Sequence, residues 1–340
     1  MPQPSLRRLA RQLGLSVATI SLALRDSPRV VPATKKRVVD AARRAGYRPN
    51  PLVRSVMAAM RRSSQESYQG LLAGINYSSD PHPRLRTFHQ EVWRGAERRA
   101  RELGYGMDLC WFGPNNLSLA RLSTVLATRN IQGVVVLPIA ETHDLSSIDW
   151  SGLAGVVMDY CLSRPSLHSV LPDHHVSIFT ALERLVALGY RRPGLVLDAA
   201  RDARLRHKWS GGYYSFFRTP GPAAYLPELL AQPVDRTAFL GWFDRHQPDV
   251  IIAHLQTEII GWLQERGRRV PEDVGFLQLN WTERTGPCAA LDLQPGRLGV
   301  AAIESLVAQL QRQEHGIPDL PKTITLGAEW IDGPTLRRRG

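Results

Sequence analysis

Apolar positions repeat with a helical period at the start of the chain. In residues 5–13, SLRRLARQL, Leu6, Leu9, Ala10 and Leu13 fall at i, i+3, i+4 and i+7, one face of a short helix. Ser5 is placed to cap it, and Gly14 suits the left-handed residue that ends a helix. Ser16 is placed to cap a second helix over about 17–24, VATISLAL, with Ile20 and Leu24 turned inward. The connection of about three residues has helix-turn-helix spacing. A third helix opens at Pro32, buries Val38, Ala41 or Ala42, and Ala45, and stops at Gly46. Then Asn50 caps, and Pro51 opens, a helix over 51–60 that carries Leu52, Val53, Val56, Met57 and Met60 beside Arg54, Arg61 and Arg62. That segment is too short to be stable alone. The polar run SSQES, 63–67, follows it.

From Leu71 onward the pattern changes to short apolar runs separated by amphipathic stretches. The runs are 71–76, 105–111, 133–137, 155–158, 193–197, 249–253 and 273–277. The helical stretches are 87–103, 118–129, 175–188, 235–246, 256–266 and 295–313. Alternation of this kind predicts α/β architecture, and about 270 residues are enough for two doubly wound parallel sheets. The division expected is 1–49 for the helical head, 50–67 for a hinge helix and linker, and 68–340 for the α/β part.

Charge sharpens this division. Residues 1–62 hold 14 Lys and Arg against Asp26 and Asp40, while the remaining residues carry 29 bases and 29 acids. The whole excess of +12 therefore sits on the small helical unit. A solvated surface mixes signs, so the segregation points to a polyanion, with duplex DNA or RNA ahead of an anionic membrane. Beside a major-groove reader, the 51–60 helix suits the minor groove, where apolar side chains pry base steps apart. A linker helix packed on the α/β part is the alternative. No run approaches the roughly 20 apolar residues of a membrane span, and no apolar leader is visible. Cys110, Cys161 and Cys288 fit neither a disulfide framework nor a zinc site. Together these predict a cytoplasmic protein without membrane partners.

The segments SLRRLARQLGLSVATISLAL and VPATKKRVVDAARRAGYRPNP resemble the head of the lactose/galactose repressor (LacI-type) family. The resemblance implies a lambda-repressor-like all-α helix-turn-helix head whose second helix enters the major groove. Val17, Ala18 and Leu22 take the base-reading positions, with Thr19, Ser21 and Arg25 as phosphate or base neighbours. Ser5, Ser16 and Asn50 are the capping positions in the DNA-facing set, and Arg54 joins them from the hinge. Val56 occupies the wedge position where the family usually has leucine, and Met57 lies beside it. Val17, Ala18 and Leu22 cannot make bidentate bonds to bases, so thymine methyls, groove shape and phosphate contacts must supply recognition.

The α/β part is similar to the family's periplasmic-binding-protein-like sensor, on LERLVALGYRRPGLVL (182–197), LQERGRRVPEDVGFLQLN (263–280) and GRLGVAAIESLVAQL (296–310). This implies two lobes, about 68–165 with 290–325 and 166–289 with 326–340. The chain would cross between them near 163–171, 282–292 and 323–328. Ligands of open sheets bind beyond the carboxyl ends of the strands. Tyr77, Ser78, Ser79, Asp159, Asn280 and Trp281 are selected in this way. Family position adds Asp173, His174, Arg204, Lys208, Trp209 and His254. Three polar landmarks of sugar-binding members are altered here: Lys208 and Trp209 stand near the usual arginine position, AHLQ replaces an Asn-Asp, and Asn280 replaces an aspartate.

The implied function is a homodimeric, DNA-binding transcriptional regulator, with a tetramer left open. A repressor acting on a pseudo-palindromic operator is expected. A small-molecule effector of unidentified chemistry, a sugar among the candidates, would act from the cleft. A regulator without a small-molecule effector is the alternative. A solute-binding protein would need a leader and no basic head. Asp173-His174-His175 lacks the further ligands of a metal site, and no nucleotide-binding or hydrolase motif occurs, so neither cofactor nor enzyme activity is expected.

Overall fold

The computed structural model describes residues 6–16, 19–20, 23, 30–44, 69–254, 256–281 and 287–337. The chain falls into two compact units, Met1–Ser67 and Tyr68–Gly340.

In the first unit, helices α1 (Leu6–Leu13) and α2 (Pro32–Arg44) are the described elements. Leu9, Ala10, Ile20, Ala23, Val30, Val38, Ala41 and Ala42 form one buried cluster, so the helical spacing read from the sequence builds a core of its own. Gly14 takes φ +66° just past α1, and the Leu15 amide donates to the Ala10 carbonyl at 3.0 Å. Glycine adopts that conformation without steric cost, which is why the helix ends there. Pro32 is the first residue of α2. The expected hinge helix and Ala45 lie outside the described residues.

The second unit contains two six-stranded sheets. The first comprises β1 (Gly70–Tyr77), β2 (Tyr105–Phe112), β3 (Gly133–Val136), β5 (Ala154–Met158), β7 (His168–Pro172) and β13 (Thr323–Leu326), ordered β13-β7-β5-β3-β1-β2, all parallel. The second comprises β8 (Pro193–Asp198), β9 (Leu229–Ala231), β10 (Val250–Ala253), β11 (Gly275–Gln278), β12 (Ala290–Asp292) and β14 (Glu329–Ile331), ordered β14-β12-β11-β10-β8-β9. β14 is antiparallel to β12, so the second sheet departs from the fully parallel expectation at its edge. β4 (His143–Asp144) and β6 (Leu162–Arg164) form a small separate pair.

Helices cover both faces of each sheet, and the central strands β3, β5 and β10 are accordingly apolar throughout. On the first, α3 (Thr87–Glu102) and α10 (Pro295–Arg312) bury Val92, Ala96, Leu298, Ala302, Ile303 and Leu306 against Leu72, Val135 and Val156. On the opposite face, α4 (Leu119–Thr128) buries Leu122 and Leu126 against Ala73, Ile75, Val134 and Val136. The second sheet is covered by α5 (His174–Ala187) and α7 (Lys208–Phe216) on one side, and by α8 (Arg236–His246) and α9 (Gln256–Glu265) on the other. Side chains supply several starts: Ser118 accepts from the Arg121 amide to open α4, and Asp235 from the Ala238 amide to open α8.

The chain passes between the sheets after Pro172, after Asp292 and between Leu326 and Glu329. The first passage is later than the 163–171 expected, and β12 belongs to the second sheet, not the first. The limits at 165 and 290 therefore move to the carboxyl ends of β7 and β12. Helix α6 (Ala199–Arg204) and helix α7 were not anticipated; Arg206 and His207, both at φ +54°, form the corner between them.

Candidate functional site

In the head, Ser16 behaves as its position foretells. Its Oγ accepts the Thr19 amide at 3.0 Å and lies 2.8 Å from the Thr19 hydroxyl, while its carbonyl accepts the Ile20 amide at 3.0 Å. This is a helix N-cap, and Ile20 beneath it is completely buried. Ser16→Ala should cost about 1 kcal/mol locally, seen as roughly fivefold faster amide exchange at Thr19, with Ser16→Gly nearly neutral. Equal exchange in Ser16→Ala would mean that the bond does not hold the helix start. Of the DNA-facing set, Ser16 and Thr19 are described. Ser5, Val17, Ala18, Ser21, Leu22, Arg25, Asn50, Arg54, Val56 and Met57 lie outside the described residues.

In the α/β unit, a cavity of about 660 Å³ opens between the two sheets. It is lined from the carboxyl ends of β3 (Pro138–Thr142), β5 (Met158, Asp159) and β7 (Val170, Pro172) on one side, and of β8 (Asp198), β10 (His254) and β11 (Asn280) on the other. In each sheet the strand order reverses direction nearby, which is where doubly wound sheets leave a crevice. Phe88 and His89 reach it from α3, Arg201 and Arg204 from α6, and Trp209 from α7. A smaller recess of about 370 Å³ continues past Asp198, Arg201 and His254 to Pro233 and Val234.

Six of the twelve expected ligand residues meet here: Asp159, His174, Arg204, Trp209, His254 and Asn280. The other six do not line the cavity. The Tyr77 ring is held by Phe112 and His143, with centroids 5.4 and 4.2 Å away. The Ser78 and Ser79 carbonyls are tied down by Asn116 and Asn115. Asp173 caps α5 by accepting the Val176 amide at 3.0 Å. Lys208 is exposed at the start of α7, and the Trp281 amide is spent on the Leu291 carbonyl. Sequence reasoning missed Arg86, Phe88, His89 and Arg201. Arg86 stands immediately before a helix that was foreseen, and that position was its one available signal.

Asp159 takes φ +67°, turning its carboxylate back so that it accepts the Tyr160 amide at 2.8 Å and Arg204 Nη1 at 2.7 Å. This half-buried ion pair joins the two lobes across the cleft. Burial pushes His174 down to about 4 and His254 well below the usual imidazole range, so both rings are neutral at pH 7. His174 and Trp209 overlap, with centroids 4.5 Å apart and planes tilted by 35°. Four enclosed polar atoms of cavity-lining residues have no partner among the described residues: His174 Nδ1, Trp209 Nε1, His254 Nε2 and Asn280 Oδ1. Among the described residues no three His, Cys, Asp or Glu side chains converge to hold a metal ion. No described helix is long and apolar enough to cross a membrane.

Residues 5–50 match the profile of bacterial regulatory proteins, lacI family, and residues 182–335 that of a periplasmic binding protein-like domain. The chain is 26% identical over 329 residues to the HTH-type transcriptional repressor CytR of Escherichia coli (strain K12), covering 92% of this chain and 91% of that protein. It is 22% identical to catabolite control protein A of Priestia megaterium, covering 93% and 96%. Among solved structures, the transcriptional regulator CelR–cellobiose complex superposes with a TM-score of 0.57 at 19% identity, covering 98% of this chain and 100% of that one. The Lac repressor dimer bound to operator and the anti-inducer ONPF gives 0.56 at 16% identity, covering 98% and 99%.

Proposed function

Because the chain belongs to the lacI family of bacterial regulatory proteins, we propose that it is a cytoplasmic transcriptional repressor that binds a pseudo-palindromic DNA operator as a homodimer. One observation carries this reading: the residues matching the family profile build a separately cored helical unit, and they lie within residues 1–62, which hold the entire charge excess. Like charge gathered on so small a unit raises its own energy unless a polyanion neutralises it. Two copies place two second helices in major grooves and two hinges at the minor groove between them. Two structural neighbours carry a small-molecule ligand, which supports an effector for this chain, and the cavity between the lobes is the place for it. Such a ligand alters operator affinity only through unequal affinity for two lobe arrangements.

Selection of bound sequences from a random duplex pool tests the proposal. Enrichment of two inverted half-sites is expected, with an affinity that falls steeply as salt rises. Arg54→Ala should weaken binding and flatten that dependence by about one counterion. A pool that returns no motif, from protein whose head is folded, would overturn the reading.

A further inference from the structure

Two consecutive residues of the first lobe are gripped by one corner of the second. Asp159 and Tyr160 follow β5, while Arg204 ends α6 and Arg206 opens the corner between α6 and α7. Arg204 Nη1 donates to Asp159 Oδ2 at 2.7 Å, and the Arg206 guanidinium lies over the Tyr160 ring, 5.2 Å from its centroid. Tyr160 also packs against the buried cluster of the second sheet, although it follows a strand of the first. Phe88, from α3, adds an apolar bridge, since it packs against the buried clusters of both sheets.

The ionic contact is withdrawn from water. The Arg204 and Asp159 side chains are 20% and 14% exposed, whereas the Arg236–Glu265 pair inside the second lobe is 57% and 52% exposed. Pairs as open as the latter contribute little. A sheltered pair attracts more strongly, and losing one partner leaves an uncompensated charge behind. Both ends are also set in advance. Asp159, at φ +67°, accepts the Tyr160 amide at 2.8 Å. The corner at Arg206 and His207 is braced by buried Asp202, which accepts the Ser210 hydroxyl at 2.6 Å. Little freedom is lost when such prepared groups meet.

We infer that these contacts form a clasp by which the chain itself holds its two lobes at one separation. Asp159, Tyr160, Arg204 and Arg206 set the lobe equilibrium, and they do so independently of any effector. On the reading of the chain as an operator-binding regulator, on which this rests, the same four residues set operator affinity. Asp159 and Arg204 line the cleft, so a ligand entering it meets the clasp directly. An effector then works by tightening or loosening a grip that the protein already supplies.

Distances between spin labels on the full-length protein provide the test. The labels go on Ser147→Cys and Thr219→Cys, exposed positions on the first and second lobes; the native Cys110, Cys161 and Cys288 are buried. Labelled chain is diluted with unlabelled chain, so that only distances within one chain are read. The parent should give one narrow distance. Asp159→Asn keeps a residue that tolerates positive φ and still accepts the Tyr160 amide, so it removes only the charge. Asp159→Asn and Arg204→Gln should each lengthen and broaden the distance and move operator affinity by about fivefold or more, in the same direction. The double variant should go no further than either single one, because both remove one interaction. Tyr160→Leu should act in the same sense and more weakly, and it carries the test with Asp159→Asn if Arg204→Gln fails to fold. Arg236→Gln, which breaks a pair inside one lobe, should leave both readouts unchanged. Distances that do not respond to either single variant would overturn the clasp, as would distances that respond while operator affinity stays put. Fully additive effects in the double variant would also overturn it. The distances are read without DNA, so a failure of operator selection would not be mistaken for a failure of the clasp.

Discussion

A single methyl group added at Gly299 is expected to destabilise the chain by about 3 kcal/mol. A Cβ there would lie 2.1 Å from the Val92 carbonyl oxygen and 2.7 Å from the Ala96 nitrogen. At Gly95, on the facing helix, it would lie 2.0 Å from the Gly296 carbonyl oxygen. These neighbours are backbone atoms of α3 and α10, so no side chain can swing aside, and the helices must separate over the first sheet. Alanine is the better helix former by about 1 kcal/mol, but that gain is smaller than the cost of unpacking Leu298, Ala302 and Ile303. Gly241, in α8, supplies the control: nothing lies within 4 Å of its Cβ position, so Gly241→Ala should stabilise by roughly 0.5–1 kcal/mol. Denaturant midpoints check both. Gly299→Ala at or above parental stability would show that the helix pair re-spaces freely.

Acidification should produce a loss of comparable size through His174. Its folded-state pKa, about 4, lies below the ordinary 6.5, so the unfolded chain binds the extra proton between those values. Stability conferred by the neutral ring is therefore full above pH 6.5 and declines as pH falls towards 4, by about 3 kcal/mol in all. Burial is the main cause; Asp159, Asp173 and Asp202 favour the charged ring and Arg204 opposes it. His254, buried beside Arg201 and His174, acts in the same direction. Unfolding free energies measured from pH 7 to pH 4 should fall less steeply in His174→Asn than in the parent. Identical slopes would mean that His174 is already solvated or charged at neutral pH.

Much of this architecture is legible in the sequence because its signals are local. The head's core follows from apolar residues three and four apart, with Ser16 and Gly14 marking helix limits that need no distant partner. Strands β1, β3 and β5 are covered on both faces and therefore read as uninterrupted apolar runs. β7 was missed because HSVLP is short, is bounded by Pro165 and Pro172, and contains His168 and Ser169. One of its edges pairs with β5, and the other is held from the far end of the chain, where the Lys322 amide donates to His168 Nδ1 and β13 supplies the ladder. The α6–α7 corner was missed for a similar reason. It is fixed by buried Asp202 accepting from the Ser210 hydroxyl and lying 2.9 Å from His207 Nδ1, a tertiary arrangement without periodicity.

The site divides along the same line. Asp159, His254 and Asn280 follow the ends of apolar runs, so the rule that ligands gather there finds them. The rule fails at Tyr77–Ser79, where Phe112, His143, Asn115 and Asn116 take up the same loop's ring and carbonyls. Arg86 and Arg201 lie at helix starts, where an arginine looks like any solvated charge until the opposite wall is in view.

The passage of α10 and β13 back to the first sheet has a consequence for a chain made from its amino end. Until residue 312 has left the ribosome, the apolar face formed by Leu72, Val135 and Val156 lacks half its covering, and β7 keeps an open edge until Leu326 emerges. Neither lobe can mature first and wait for the other. Nascent chains of this protein therefore carry a sticky sheet through most of translation, and chaperones that shield such surfaces should engage them there.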